Sequence, residues 1–314
     1  MRIVICGSGG FAVPSLRALA SSRHDVACVV TQPPRPAGRG GKARHTHVAG
    51  AAAELGLTAL ECPNINDAAM GEAIRGHGPD VIYVADFGQM VRSAVRQTAR
   101  AGAFNLHGSI LPELRGAAPI NWAIIRGYPR TGVSFFSLVD RMDAGEVYGT
   151  AGTAIGCGET AEELHDRLAD LGAQLGLKVL DELDAGTARG VAQEESKATL
   201  APKLKKEDGR LDFTVSAEAL AARINGTCPW PGGQAVLATR DGREMPVTIA
   251  RALARGGEAG LTPGELDADM TVAAGGGRVE VLEIQPAGKK RMSWKAFLNG
   301  CRLAPGDRFA SVGL

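Results

Sequence analysis

The sequence has 314 residues, of which 45% are hydrophobic and 22% are charged, and its formal net charge is +1. This length exceeds the usual size of one hydrophobic core and predicts two domains, while the composition excludes disordered and collagen-like classes. The nearly neutral charge excludes a generally basic protein, so a polyanion would have to bind to local basic patches.

The six cysteines, Cys6, Cys28, Cys62, Cys157, Cys228 and Cys301, are scattered singly. Without a Cys-x-x-Cys pair or a Cys/His cluster, they indicate neither a disulfide framework nor a zinc site. Met1 and Arg2 lead into an apolar run of strand length, which is too short for a signal sequence or a membrane span. We therefore expect a reducing, cytoplasmic location, no bound metal and no membrane partner.

The chain begins with a strand, a glycine turn and a helix, at residues 2–6, 7–10 and 11–20. Gly7-x-Gly9 matches part of a dinucleotide-binding fingerprint. However, Ala12 stands at the position of the third glycine, and no acidic residue closes the next predicted strand, residues 25–31. A βα turn that needs glycines for its geometry is therefore favoured over an NAD site.

Residues 32–47 form a long loop rich in proline, glycine and positive charge. Its cations are Arg35, Arg39, Lys42 and Arg44. A loop of this length within a compact domain is usually either functional or disordered, and its charge suits contacts with phosphates. A flexible, solvated loop is the open alternative.

Apolar periodicity then predicts alternating helices and strands. They are a helix at 48–55, a strand at 57–60, a helix at 67–76, a strand at 80–85, a helix at 89–100 and a strand at 102–107. Such alternation predicts an α/β domain with a doubly wound, mostly parallel sheet.

The strand at 102–107 delivers two polar side chains to a loop. Asn105 and His107 are two residues apart and so share one face of the strand, and Pro112 ends the extended segment. Asp143 follows another β-rich run, residues 131–139. If that run pairs beside the first strand, an amide, an imidazole and a carboxylate converge at strand carboxyl ends, where open α/β sheets bind ligands. By itself, Asn-x-His is more often a polar strand end that faces water.

Later segments include a strand at 146–155 and a helix at 160–184, which Thr160 and Glu163 begin with a capping box. Residues 187–208 lose apolar periodicity and gather lysines, as an interdomain linker does. A helix at 212–225 precedes short strands at 234–239, 245–250, 271–274 and 278–284, which predict a small β-barrel. The predicted domains are 1–187 (catalytic), 188–208 (basic linker) and 209–314 (barrel).

Several stretches together resemble the methionyl-tRNA formyltransferase family. They are residues 11–16, 31–33, 35–40, 105–112, 115–120, 142–145, 228–232 and 285–293. The resemblance spans both predicted domains in order. It implies a formyltransferase-like Rossmann fold followed by an OB-like barrel that binds tRNA. The family reaction transfers the formyl group of 10-formyltetrahydrofolate to the amino group of initiator methionyl-tRNA, and we expect a monomer.

The resemblance also implies site residues. The catalytic residues would be Asn105, His107 and Asp143. The folate contacts would be Ser109, Ile110, Leu111, Pro112, Phe87, Gly88 and Gln89. The tRNA contacts would be Arg35, Arg39, Lys42, Arg44, Lys205, Lys206, Lys289 and Lys290.

Three positions depart from the family pattern. Residues 8–10, Ser-Gly-Gly, replace a Thr-Pro-acid turn, Asp86 replaces a common tyrosine, and residues 227–228, Thr-Cys, replace Phe-Asn. These departures concern the shape of the pocket.

Formyl transfer to an amine passes through a tetrahedral oxyanion, which hydrogen-bond donors such as Asn105 and His107 can stabilise. A carboxylate such as Asp143 can orient the histidine or relay protons through water. Neither a metal nor a covalent nucleophile is needed.

Other functions use similar residues. A sister enzyme could formylate an amino sugar nucleotide or a nucleotide precursor amine, although the basic loop and barrel argue against it. A hydrolase could release formate and would need no tRNA-binding domain. A non-catalytic RNA-binding protein would be expected to have lost one of the three polar residues, all of which are present.

Overall fold

The computed structural model describes residues 1–37, 42–257 and 260–312, with only the backbone of Ala37 and Lys42. The chain forms two compact units. The first unit contains Met1–Gly116, Gly132–Thr153 and His165–Leu200, and the second contains Ala117–Thr131, Ala154–Leu164 and Ala201–Leu314. The domain boundaries expected at residues 187 and 208 stay a prediction.

The strands before residue 210 are β1 (Arg2–Gly7), β2 (Asp25–Thr31), β3 (Arg35–Ala37), β4 (Lys42–Arg44), β5 (Ala59–Glu61), β6 (Val81–Ala85), β7 (Ala103–His107), β8 (Arg115–Gly116), β9 (Arg130–Ser137), β10 (Val147–Ala154) and β11 (Leu200–Ala201). The helices are α1 (Val13–Ala20), α2 (His47–Glu54), α3 (Ala68–Gly76), α4 (Ser93–Arg96), α5 (Pro119–Ile125) and α6 (Ala161–Asp184).

A seven-stranded sheet in the order β10-β9-β7-β6-β1-β2-β5 organises the first unit. The pairs β1–β2, β1–β6, β2–β5 and β6–β7 are parallel. Every residue of β6 is buried, as expected for a parallel strand with both faces covered. The predicted doubly wound, mostly parallel sheet is confirmed. Because the chain goes from β1 towards β5 on one side and β7 on the other, the topological switch point lies between β1 and β6.

The expected convergence of strand carboxyl ends at Asp143 was wrong. Strand β9 runs antiparallel to β7, with Ser137 opposite Phe104 and Ser134 opposite His107. The carboxyl end of β9 is therefore beside the start of β7, and the loop from β9 to β10 has to carry Asp143 back to His107.

The helix expected at residues 89–100 was also wrong, because only α4 forms there. The side chain of Gln89 accepts a hydrogen bond from the Ile65 N–H and donates to the Cys62 carbonyl, and Asn66 accepts from the Arg92 N–H. These bonds to residues 62–66 replace the helical ones.

The second unit contains an antiparallel sheet packed against helices. Its strands are β12 (Gly233–Ala238), β13 (Glu244–Arg255), β14 (Val272–Ala273), β15 (Arg278–Pro286), β16 (Met292–Ser293) and β17 (Arg308–Ser311), and its later helices are α7 (Ala217–Gly226) and α8 (Trp294–Gly300). The helix predicted at 212–225 thus begins later, with Ser216 as its N-cap. Helix α8 and strand β17 were not predicted.

The sheet runs in the order β14-β15-β13-β12-β17 and closes almost completely. Gly264 donates to the Ala273 carbonyl beside β14 and accepts from the Phe309 N–H on β17. One short segment therefore bridges both edges, and the predicted small barrel is confirmed. The rings of Trp294, Phe297 and Phe309 pack together in its core.

No helix in the described ranges is long and apolar enough to cross a membrane.

Candidate active site

The end of β7 presents His107 in one fixed orientation. The ring is buried, and its Nε2 lies 3.0 Å from the Leu114 carbonyl oxygen. Because a carbonyl only accepts hydrogen bonds, Nε2 carries the proton of the neutral ring. Nδ1 then has a free lone pair, and it faces the Asp143 Oδ2 at 3.9 Å. The imidazole can accept a proton at Nδ1, and Asp143 would stabilise the cation that forms.

Asp143 is held by unusual backbone geometry. Its φ of 50° lies in the left-handed region that residues with a Cβ rarely adopt. The backbone N–H of Gly116 donates to Asp143 Oδ2 at 2.8 Å. Two residues on, a Cβ at Gly145 would lie 1.7 Å from the Ser137 carbonyl oxygen, so only glycine fits. The turn is thus built to present this carboxylate.

Asn105 lies on the same face of β7 as His107 and is half-buried. Its side-chain amide has no hydrogen-bond partner among the residues that the structure describes. The amide is therefore free to donate to a ligand. An unpartnered donor, an imidazole base and a fixed carboxylate can together stabilise an oxyanion and move a proton.

The turn after His107 contains four of the expected folate contacts. Ser109 donates from its hydroxyl to the Glu113 carbonyl at 2.6 Å, and the Leu111 N–H donates to the Ser134 hydroxyl at 3.0 Å. The Ser134 hydroxyl in turn donates to the Ser109 carbonyl. The peptide bond between Leu111 and Pro112 is cis. Ile110 is the exposed side chain of this turn, at 37%.

The other expected folate contacts follow β6. Phe87 is buried, and its carbonyl accepts a hydrogen bond from the Gln32 amide at 2.7 Å. Gly88 adopts a φ of 74°, which suits glycine. Both ends of the Gln89 amide are bonded to backbone groups of residues 62–65. Gln89 thus braces this loop from within, while the Phe87–Gly88 segment faces the open end of the sheet.

A cavity of about 200 Å³ lies beside this segment. It is lined by Ser8, Gly9, Gln32, Pro33, Arg35, Arg44, Thr46, Asp86, Phe87 and Gly88. These residues follow or adjoin the carboxyl ends of β1, β2 and β6, so the cavity lies at the topological switch point, the usual ligand position in such sheets.

The basic loop contributes to this cavity through a short hairpin. Arg35 pairs with Arg44 across β3 and β4, and both side chains are exposed. Arg39 and the side chain of Lys42 lie outside the described residues. Two of the four expected cations therefore line the cavity.

Asp86 explains two of the departures from the family pattern. A Cβ at Gly9 would lie 1.6 Å from the Asp86 Oδ2, so the carboxylate can occupy this place only beside a glycine. Asp86 is exposed as a residue, but partial desolvation of its carboxyl raises the pKa of that group, and the nearby His165, a hydrogen bond from the Phe11 N–H and the nearby His47 oppose this shift. The carboxylate thus lies at the first helical turn, where a dinucleotide phosphate binds in other Rossmann folds.

In the second unit, the expected tRNA contacts Lys205, Lys206, Lys289 and Lys290 are all exposed. An aromatic and cationic cluster in this unit was not predicted from the sequence. The guanidinium groups of Arg126 and Arg223 lie 4.9 Å and 5.9 Å from the ring centre of Trp122. The four-residue spacing of Trp122 and Arg126 on a helix could have signalled their contact. Arg223 carries no such signal, because it lies on α7, far away in sequence.

Two further residues, Arg115 and Gln193, were not predicted from the sequence as site residues. The Arg115 guanidinium donates to the Gln193 side chain, and Gln193 in turn donates to the Asp143 carbonyl. Within the described ranges, no group of three or more His, Cys, Asp and Glu side chains is placed to hold a metal ion.

Comparisons with known proteins give consistent results. The family models "Formyl transferase" and "Formyl transferase, C-terminal domain" match residues 1–180 and 203–302. The methionyl-tRNA formyltransferase of Solibacter usitatus is 40% identical over 98% of both chains. That of Methylococcus capsulatus is 39% identical over 97% of this chain and 98% of its own.

Among solved structures, the N-formyltransferase of Helicobacter canadensis, in complex with folinic acid and dTDP-3-aminofucose, superposes with a TM-score of 0.65. It covers 92% of this chain and 99% of its own at 15% identity, which supports a shared fold.

Proposed function

Because the chain belongs to the formyl transferase family and matches methionyl-tRNA formyltransferases over nearly its whole length, we propose that it formylates initiator methionyl-tRNA. The formyl donor is 10-formyltetrahydrofolate, and the acceptor is the free amino group of the methionyl residue. The product is N-formylmethionyl-tRNA for translation initiation.

The observation that carries this proposal is the arrangement at the end of β7. The Asn105 amide, which has no partner among the described residues, lies on the same strand face as His107, whose Nδ1 faces Asp143 at 3.9 Å. We assign the catalytic roles to these three residues. These groups suit a reaction that creates an oxyanion and moves one proton.

In this mechanism the neutral amine attacks the formyl carbon, and Asn105 donates a hydrogen bond to the developing oxyanion. His107 takes the proton of the attacking amine at Nδ1, and the Asp143 carboxylate stabilises the imidazolium. The tetrahedral intermediate then collapses, and the bond from the formyl carbon to the folate nitrogen breaks. The imidazolium returns the proton to that nitrogen, so charge and protons balance.

The surrounding residues suggest where the substrates bind. We assign folate contacts to residues 109–112 and to Phe87 and Gly88, with Gln89 as an indirect support. We place the acceptor end of the tRNA at the side of the cavity where Arg35 and Arg44 offer positive charge. The exposed lysines at 205, 206, 289 and 290 would contact phosphates further along the tRNA. We expect a monomer in the cytoplasm, where charged tRNA is made and used.

The decisive experiment follows radiolabelled formyl groups from 10-formyltetrahydrofolate to purified initiator methionyl-tRNA. Uncharged initiator tRNA and elongator methionyl-tRNA are the controls, and formate release is measured in parallel. We expect label on charged initiator tRNA alone. Release of formate without transfer would indicate a hydrolase, and turnover only with small amines would indicate a sister enzyme.

Salt dependence tests the proposed tRNA contacts. Arg35→Ala should raise the KM for tRNA and reduce the slope of log KM against log salt by about one. The double variant Lys289→Ala/Lys290→Ala should reduce this slope as well. Arg75→Ala is the matched control, because Arg75 is exposed but paired with Glu72. Unchanged slopes in the first two variants would mean that these cations are ordinary solvated charges.

A further inference from the structure

The Asp143 turn is fastened by a residue fifty positions further along the chain. The Nε2 amide group of Gln193 donates hydrogen bonds to the Asp143 carbonyl at 2.8 Å and to the Gly145 carbonyl at 2.7 Å. One side chain thus binds the backbone on both sides of Ala144. Among the described residues it has no hydrogen bond to His107 or Asn105, and the sequence predicted it to lie in a linker.

The other end of the Gln193 side chain is fixed as firmly. Its Oε1 accepts hydrogen bonds from Arg115 Nε at 3.1 Å and Nη2 at 2.7 Å. Arg115 is only 3% exposed, and it also donates to both carboxylate oxygens of Glu195 at 3.1 Å and 2.9 Å. A guanidinium can only donate and carbonyls can only accept, so the amide has one possible orientation. Gln193 therefore cannot flip away from the turn.

The turn requires such a hold, because its own geometry is unfavourable. Asp143 adopts a left-handed conformation, and such residues persist only where the surroundings determine them. The two segments that hold it are adjacent. Gly116 donates to the Asp143 carboxylate, and its neighbour Arg115 orients the glutamine that binds the Asp143 backbone. Backbone and carboxylate are thus fixed by one connected network.

We propose that Gln193 is a positioning residue for the reaction, which acts by holding the Asp143 carboxylate opposite His107. The catalytic part of this inference rests on the proposed function, and the structural part does not. Displacements of about 1 Å at a reacting group can cost about a hundredfold in rate. Loss of the two N–H donors should therefore lower kcat by up to about that factor while the KM for each substrate stays unchanged.

Two variants test this proposal. Gln193→Met keeps the shape of the side chain without its polar atoms. Gln193→Glu keeps the acceptor for Arg115 and removes both donors, so the buried arginine stays paired and the fold should survive. Gln234→Met is the matched control, because Gln234 also donates to two backbone carbonyls, in the second unit. It should leave kcat unchanged.

A double-mutant cycle separates positioning from general structural damage. If Gln193 acts only through Asp143, Gln193→Met should have little further effect on kcat in an Asp143→Asn background. If Gln193→Met lowers kcat by the same factor in the wild type and in Asp143→Asn, the proposal is overturned. It is also overturned if both Gln193 variants have the kcat of the wild type.

Hydrogen exchange gives a readout that needs no activity. The Gly116 amide donates to Asp143, so its hydrogen should exchange faster in both Gln193 variants. Its exchange rate should be unchanged in Gln234→Met. Unchanged exchange at Gly116 would overturn the proposal even if the enzyme proved inactive towards methionyl-tRNA. If the variants exchange faster but the wild type transfers no formyl group, the proposed function is refuted. The inference that Gln193 holds Asp143 in place would still stand.

Discussion

Replacement of Asn105 by alanine should separate catalysis from stability. The Asn105 amide has no hydrogen-bond partner among the described residues of the free protein, yet it is proposed to stabilise the oxyanion. Loss of one such donor costs about 100- to 1,000-fold in rate, or about 2.7–4 kcal/mol of transition-state stabilisation. Asn105→Ala should therefore lower kcat by about this factor.

The same change should have little effect on folding. The Asn105 side chain has no hydrogen bond within the described parts of the chain, so the free energy of unfolding should change by about 0.5 kcal/mol or less. A stability loss alone could not explain the loss of rate.

Asn225→Ala provides the opposite case. The buried Asn225 side chain donates to the Ala252 carbonyl and accepts from the Ala252 N–H, both at 2.9 Å. Its loss removes two hydrogen bonds and leaves buried backbone groups without partners, which should cost about 2–4 kcal/mol of unfolding free energy. Its kcat at temperatures where it stays folded should be near that of the wild type.

The assays are single-turnover formyl transfer at saturating substrates and equilibrium unfolding in urea, applied to both variants. The reasoning fails if Asn105→Ala keeps nearly the full rate, because the unpartnered amide would then have no role in the transition state. It fails equally if Asn105→Ala is as unstable as Asn225→Ala.

Three further outcomes are expected. Asp143→Asn should lower kcat far more than it raises either KM, and steady-state kinetics that show unchanged kcat would remove Asp143 from the mechanism. Gly9→Ala would bring a Cβ within 1.6 Å of the Asp86 carboxylate and expel it, so the KM for tRNA should rise and the added change Asp86→Ala should partly restore it. Because partial desolvation raises the pKa of the Asp86 carboxyl, the folded protein binds its proton to higher pH than the unfolded chain does, and stability falls slightly as pH rises through that pKa. Asp86→Asn should lack this part of the pH dependence, which urea unfolding between about pH 4 and pH 7 would measure.

Elements with strong local signals were predictable from the sequence. The apolar runs of β1, β2 and β6 sit between helical periodicities, and the structure has the predicted parallel sheet. The turn at Ser109–Pro112 also follows from local residue types, since proline cannot continue a strand. Residues 89–100 have helical periodicity too, but side-chain bonds from Gln89 and Asn66 outweigh it. Periodicity does not report such tertiary bonds.

The sequence predicted which residues form the candidate site better than it predicted how the fold brings them together. Asn105 and His107 share a strand, so their common face follows from the two-residue repeat. The approach of Asp143 to His107 does occur, but through a returning loop instead of a strand end. Gln193 and Arg115 carry no local signal at all, because their role depends on a hydrogen-bond network between distant segments.

The hydrogen bond between His107 and the Leu114 carbonyl determines which ring nitrogen can exchange a proton. A carbonyl neither gives nor takes a proton, so the buried ring can gain and lose a proton only at Nδ1. A proton that enters there cannot leave through the opposite nitrogen, and under the proposed mechanism it goes back out to the departing folate. The imidazole then regains its starting tautomer with each turnover. The catalytic base would reset itself without any exchange with bulk water.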